Sequence, residues 1–121
     1  MLALPRSVQV WAYPAPTDLR KGYNGLYALV QHGLERDPRS GELFVFVNRN
    51  RTLCKVLMWD GTGLCIFMKR LERGRFAALW QRAETDDDAV LLTAAELSLF
   101  IEGCSLVGRR ALSPPAVSFK A

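Results

Sequence analysis

Between residues 8 and 13, Val8, Val10 and Ala12 alternate with Gln9, Trp11 and Tyr13, the two-residue period of a strand, and Pro14 and Pro16 stop it. Leu19, Tyr23, Leu26, Tyr27, Val30 and Leu34 then recur at helical spacing, which predicts a helix over about residues 19–32. Thr17 or Asp18 stands where a cap can accept the free N–H groups of its first turn, and Gly33 is its expected stop. Gly22 and Gly25 interrupt this helix at about 1 kcal/mol each relative to Ala, so either something packs close there or the first turn is irregular. After the loop residues 37–41 comes the apolar run Leu43–Val47, short and rich in aromatic and β-branched residues like a central strand. Asn48–Arg51 reads as a basic hairpin loop, and Leu53–Trp59 alternates Leu53, Lys55, Leu57 and Trp59 against Cys54, Val56 and Met58. Asp60-Gly61 offers the positive φ angles of a tight turn, and Leu64–Met68 returns, completing an antiparallel meander over 43–69.

Phe76–Gln81 is compatible with a further strand, and residues 84–88 form an acidic loop before Ala89–Leu92. Thr93 and Glu96 have capping-box spacing, with Leu97, Phe100 and Ile101 as the buried face of a helix near 93–102 that Gly103 ends. These elements predict an α+β domain over residues 1–104 with a mostly antiparallel sheet containing Val8–Tyr13, Leu43–Val47, Leu53–Trp59 and Leu64–Met68. The helix near 19–32 covers one side of that sheet, and the helix near 93–102 closes another edge. Residues 105–121, with Arg109-Arg110, Pro114-Pro115 and no periodicity, read as an irregular C-terminal tail.

At 121 residues and 50% hydrophobic content, the chain is long and apolar enough for one domain with its own core. Cys54, Cys65 and Cys104 are widely spaced, lack a Cys-x-x-Cys pair and have only His32 as a nitrogen partner, which points to reduced thiols and away from a zinc module. No signal peptide is expected and no run of about eighteen apolar residues occurs, so the expected location is cytoplasmic, without membrane contact.

The net charge is +4, but its distribution is the more informative quantity. Between Leu43 and Phe76, seven Lys or Arg (Arg49, Arg51, Lys55, Lys69, Arg70, Arg73, Arg75) stand against Asp60 and Glu72, so this third of the chain carries about +5 and the remainder about −1. A local excess of this kind fits a surface that faces a polyanion.

Thr17-Asp-Leu-Arg-Lys-Gly22, Gly41-Glu-Leu-Phe-Val-Phe-Val-Asn-Arg49, Trp59-Asp-Gly-Thr-Gly63 and Lys69-Arg-Leu-Glu-Arg-Gly-Arg-Phe76 occur in this order, within a match to one family that runs from about residue 8 to about residue 103. In these four blocks the chain resembles the TnpB-type accessory protein, the second-frame or Orf2-like protein, of insertion sequences of the sixty-six family. It departs from that pattern at Tyr23-Asn24, where the family has Phe-Asp, and at Ala77–Trp80, where the family has an aromatic-Pro pair. Its C-terminal tail likewise lacks the family's Trp and Pro pattern. The resemblance implies an accessory role in DNA transposition beside a larger transposase that supplies the cutting chemistry. It implies no catalytic residue and no cofactor.

Read independently, the acidic residues do not form a strand-transfer site, which needs two or three carboxylates converging on metal ions. Asp18 is expected as a helix cap, Asp60 as a turn residue, Asp37 as a loop residue and residues 86–88 as a solvated loop, so neither a metal site nor an enzyme is expected. A Cys-His nucleophile is disfavoured because the strand cysteines are expected to be buried. The candidate site residues are the cations Arg20, Lys21, Arg49, Arg51, Lys69, Arg70, Arg73 and Arg75, whose guanidinium and ammonium groups suit phosphate oxygens. Arg20 and Lys21 also stand at the expected helix start, where the helix dipole disfavours cations. The bland alternative is a solvated edge on which Glu72 pairs locally. Trp11, Trp59, Trp80, Tyr13 and Tyr23 are expected mainly in packing rather than as stacking platforms for bases. The expected partners are the transposase of the same element and, as a candidate, DNA. The alternative function is a protein-interaction module for the transposase without direct DNA contact. Self-association is left open.

Overall fold

The computed structural model describes residues 8–82 and 90–103. The acidic loop at 84–88, Cys104 and the tail 105–121 lie outside the described residues. Five strands form one sheet: β1 (Val10–Ala12), β2 (Leu43–Val47), β3 (Leu53–Trp59), β4 (Leu64–Arg70) and β5 (Val90–Leu92), in the spatial order β4-β3-β2-β1-β5. The meander β2-β3-β4 is antiparallel, with Val45 opposite Val56 and Leu57 opposite Ile66. β1 runs parallel to β2, with Val10 opposite Leu43, and antiparallel to β5, with Val10 opposite Leu92. Parallel neighbours need a crossover, and the segment between β1 and β2 supplies it as α1 (Tyr23–Ala28), continued by a π-helical turn over Leu29–Gly33. The architecture is the expected α+β arrangement around a mostly antiparallel sheet.

The alternating side chains of β2 explain why every one of its residues is buried. Phe44 and Phe46 join Leu57, Leu19, Leu26 and Val30 beneath α1, while Leu43, Val45 and Val47 point to the other face. On that second face, α2 (Ala94–Ile101) lays Leu97, Phe100 and Ile101 on Val10, Val45 and Val56. The C-terminal helix therefore covers a face of the sheet and does not close an edge. Its cap is the expected box: Thr93 Oγ1 accepts the Glu96 N–H at 3.0 Å and Glu96 Oε1 accepts the Thr93 N–H at 2.9 Å. Gly103, at φ +90°, ends it.

Three local expectations change. Phe76–Gln81 is not a strand: Phe76, Ala77 and Leu79 are buried in the α2-side core, Phe76 stacks on Phe100 at 4.9 Å, and a 3-10 turn spans Leu79–Arg82. The first helix begins at Tyr23 rather than 19, with Gly22 as its N-cap and no side-chain cap. The cause lies at Asp18, whose Oδ1 accepts the Arg20 N–H at 3.0 Å and forms an Asx turn in place of a cap. Leu19 is still buried in the same core as Leu26 and Val30, but from this turn, so its helical spacing in the sequence is coincidental. The third change is in the β3–β4 connection, which has four residues, 60–63, with positive φ at Gly61 and not at Asp60.

Candidate functional site: the cationic end of the sheet

β1 and β2 are parallel and β3 and β4 alternate with them, so the segments after β1, between β2 and β3, and after β4 all emerge at one end of the sheet. Backbone bonds tie them together. Thr17 N–H donates to the Val47 carbonyl at 2.9 Å, Leu71 N–H to Thr52 at 2.9 Å, and Phe76 N–H to Arg51 at 2.7 Å. All eight candidate cations stand on or beside these segments, although they are separated by up to half the chain in sequence. Within these three segments the carboxylates are Asp18 and Glu72, and Glu102 follows α2 beside Gly103, which lies against Leu71.

The eight are not equivalent. Arg20 is exposed and forks onto Asp18, with Nη2 to Oδ2 at 2.7 Å, and this pair holds the Asp18 carboxyl far below the usual carboxylate range. Lys21 is exposed, its stem lies over Gly25, and its carbonyl accepts the Lys55 Nζ at 2.8 Å. This contact answers both readings of the two glycines: Gly22 starts the helix and Gly25 makes room for the Lys21 stem. The helix opens at Gly22, so the dipole conflict expected at Arg20-Lys21 is confined to Lys21, whose stem lies against the first turn.

Arg49 is exposed in the β2–β3 loop. Arg51 is half-buried at φ +60° and donates through Nη1 to the Phe76 carbonyl at 3.4 Å, so it anchors the following basic loop. Lys69 and Arg70 are the last two residues of β4 rather than residues beyond it, and they point to opposite faces. Lys69 stands across from Cys54 on the α2 side, and Arg70 stands across from Leu53 on the α1 side. Arg73 and Arg75 are exposed around Gly74, whose φ is +74°.

Between the first two segments lies an open groove of about 420 Å³, lined by Pro16–Arg20, Asn48–Asn50 and Leu53. Its floor is apolar, from Pro16, Leu19 and Leu53, and its rim carries Arg20, Arg49 and Asn50. Asn48 is committed to the fold, since its Oδ1 accepts the N–H groups of Thr52 and Leu53 at 2.9 and 3.1 Å. Lys55 and Asn50 were not among the candidates. Lys55 had a readable signal: a lone cation in register with Leu53 and Leu57 on a core-facing strand.

The opposite end of the sheet treats its cations differently. There Arg36 pairs with Glu42 at 3.1 Å and stacks on Trp11 at 4.0 Å, and Arg39 lies over Trp59 at 5.5 Å. Arg36 helps hold Glu42 ionised against partial burial, and the Trp11 Nε1 is buried without a hydrogen-bond partner among the described residues. At the cationic end, Arg49, Lys69, Arg70, Arg73 and Arg75 have no carboxylate partner among the described residues, and Glu72 forms no ion pair there. The aromatic residues behave as packing groups: Tyr13 contacts Phe46 at 5.5 Å, Trp80 packs on the α2-side core, and Tyr23 alone of them is mostly exposed.

Three of the carboxylates are spent locally, Asp37 on the Arg39 N–H, Asp60 on its own turn and Glu96 in the α2 cap. Among the described residues, no three His, Cys, Asp or Glu side chains converge as metal ligands would. No helix among them is long and apolar enough to cross a membrane.

Two relatives align over 103 residues. The uncharacterized protein y4hO of Sinorhizobium fredii is 42% identical, covering 85% of this chain and 86% of the relative. The uncharacterized protein y4jC of the same organism is 33% identical, covering 85% of each chain. No solved structure matches the chain. The family model described as IS66 Orf2 like protein matches residues 8–111, a span that contains all four sequence blocks and the whole cationic end, and the chain belongs to that family, whose role is accessory to transposition.

Proposed function

We propose that the chain is a non-catalytic accessory protein of insertion-sequence transposition that holds the phosphate backbone of DNA at the cationic end of its sheet, alongside the element's transposase. One observation carries this reading. The arginines at one end of the sheet are matched to Glu42, Trp11 and Trp59, while five cations at the other end have no carboxylate partner among the described residues. Unpaired cations collected from separate segments create a local positive potential, and phosphate contact releases the counterions condensed on DNA. The absence of three converging carboxylates or other metal ligands among the described residues supports leaving strand cutting to the transposase.

The test is binding of the purified protein to element-end DNA across a salt series, with a variant carrying Arg70→Ala, Arg73→Ala and Arg75→Ala. Loss of up to three phosphate contacts lowers the slope of log affinity against log salt by roughly 2 to 3. The proposal fails if the protein does not bind DNA at low salt, whether or not it associates with the transposase. A transposase pull-down with and without nuclease separates a DNA bridge from the protein-only alternative, in which the triple variant would leave both retention and salt slope unchanged.

A further inference from the structure

β4 is an edge strand seven residues long, and among the described residues no strand pairs with its outer side. Natural edge strands are usually blunted by brevity, proline, a bulge or charge along their length. β5, the opposite edge, is only three residues long. β4 has none of these protections over its first five residues, Leu64-Cys-Ile-Phe-Met68, which carry neither charge nor proline. Its register with β3 runs without a slip from Leu53 opposite Arg70 to Trp59 opposite Leu64, so no bulge bends it away. Its side chains are also incompletely covered: Leu64 to Phe67 are half-buried and Met68 is 58% exposed.

We infer that β4 is the self-association surface of this protein, pairing antiparallel with β4 of a second copy to make one continuous ten-stranded sheet. The strand is complementary to its own reverse. Pairing centred on Phe67 gives every residue from Leu64 to Arg70 a partner, with Ile66 opposite Met68 of the second copy. The two cations at the strand's end then meet the apolar start of the other strand: Lys69 faces Cys65, and Arg70 faces Leu64. A parallel arrangement would instead set Lys69 and Arg70 against their own copies, which like-charge repulsion disfavours. The symmetric pairing keeps both α1 helices on the same face and directs the two cationic ends in opposite directions.

Sedimentation equilibrium of the full chain over a concentration series tests this directly, with Met68→Lys as the disrupting variant and Leu91→Lys, on the short opposite edge, as the control. Both positions are largely exposed, at 58% and 49%, so folding is spared. The expected result is a species of twice the 13.6 kDa chain mass, with a dissociation constant raised at least about tenfold by Met68→Lys and unchanged by Leu91→Lys. Hydrogen exchange is expected to show β4 amides protected in the wild type and released in Met68→Lys at the same concentration. A chain that stays monomeric throughout, including one whose β4 edge is taken by its own C-terminal residues, overturns the proposal. So does a dimer whose β4 amides exchange alike in wild type and Met68→Lys.

Discussion

Arg51 and Phe76 clasp each other through two hydrogen bonds: the Arg51 carbonyl accepts the Phe76 N–H at 2.7 Å, and the Arg51 side chain donates back through Nη1 to the Phe76 carbonyl at 3.4 Å. Phe76 is fully buried and stacks on Phe100, so the clasp fastens the basic loop after β4 to the α2-side core. To reach it, Arg51 takes φ +60°, a conformation that favours glycine. The backbone bond needs only the conformation, while the side-chain bond is long and near the geometric limit. Arg51→Gly is therefore expected to change stability by no more than about 1 kcal/mol, because relieved strain offsets the lost side-chain bond. Arg51→Val, β-branched at positive φ, is expected to lose about 1–2 kcal/mol. Urea unfolding midpoints of the two variants check the order, and Val at or above Gly would show that the side chain outweighs the backbone.

The meander was legible because each of its strands carries its own signal. The ranges 43–47 and 53–59 match β2 and β3, and β4 runs two residues beyond the expected Met68 because Lys69 and Arg70 continue the alternation onto opposite faces. The capping box at Thr93 and Glu96 and the stop at Gly103 were legible for the same reason: their chemistry is local. What the sequence left unread is non-local. Nothing in Val10–Ala12 says that it pairs parallel to β2, and β5 is too short to show a period. The start of α1 was misplaced because an Asx turn at Asp18 competes with a cap using the same carboxylate. For the site, composition found the cations, but only topology brings Arg20 and Lys21 beside Arg49 and Arg70.

The Asp18–Arg20 pair lets one substitution add positive charge to the groove without touching the core. Asp18 is exposed and ionised at any working pH, since Arg20 holds its carboxyl far below the usual range. Asp18→Asn keeps the turn's acceptor oxygen and releases the Arg20 guanidinium. If phosphate binds here, DNA affinity at low salt should rise roughly two- to tenfold and the salt slope should steepen by about 1. Fluorescence anisotropy against salt measures both, and unchanged affinity would remove Arg20 from the DNA-contacting set.

Asp60 gives a pH-dependent prediction. Its Oδ1 accepts from Thr62 N–H at 2.9 Å, Thr62 Oγ1 at 3.0 Å and Gly63 N–H at 3.0 Å, and these bonds lower its pKa from 3.8 to about 2. A pKa depressed by folding contributes stability that is fully present above the unfolded value and lost as pH falls through the folded one. The window here runs from 3.8 down to about 2. Asp60→Asn keeps the acceptor but not the charge, so wild type should exceed it in stability at neutral pH and converge on it across that window. The other carboxylates are common to both proteins, so the difference isolates this group. The same carboxylate lies 3.5 Å from Cys65 Sγ and, after partial burial, is the second cause raising that thiol's pKa. Asp60→Asn should therefore speed alkylation of Cys65, read by peptide mass mapping. Cys54, whose thiol burial pushes up to about 12, serves as the protected reference within the same molecule. Faster labelling of Cys65 with Cys54 still silent would locate the effect at the turn, whereas labelling of both would mean that the substitution had opened the sheet.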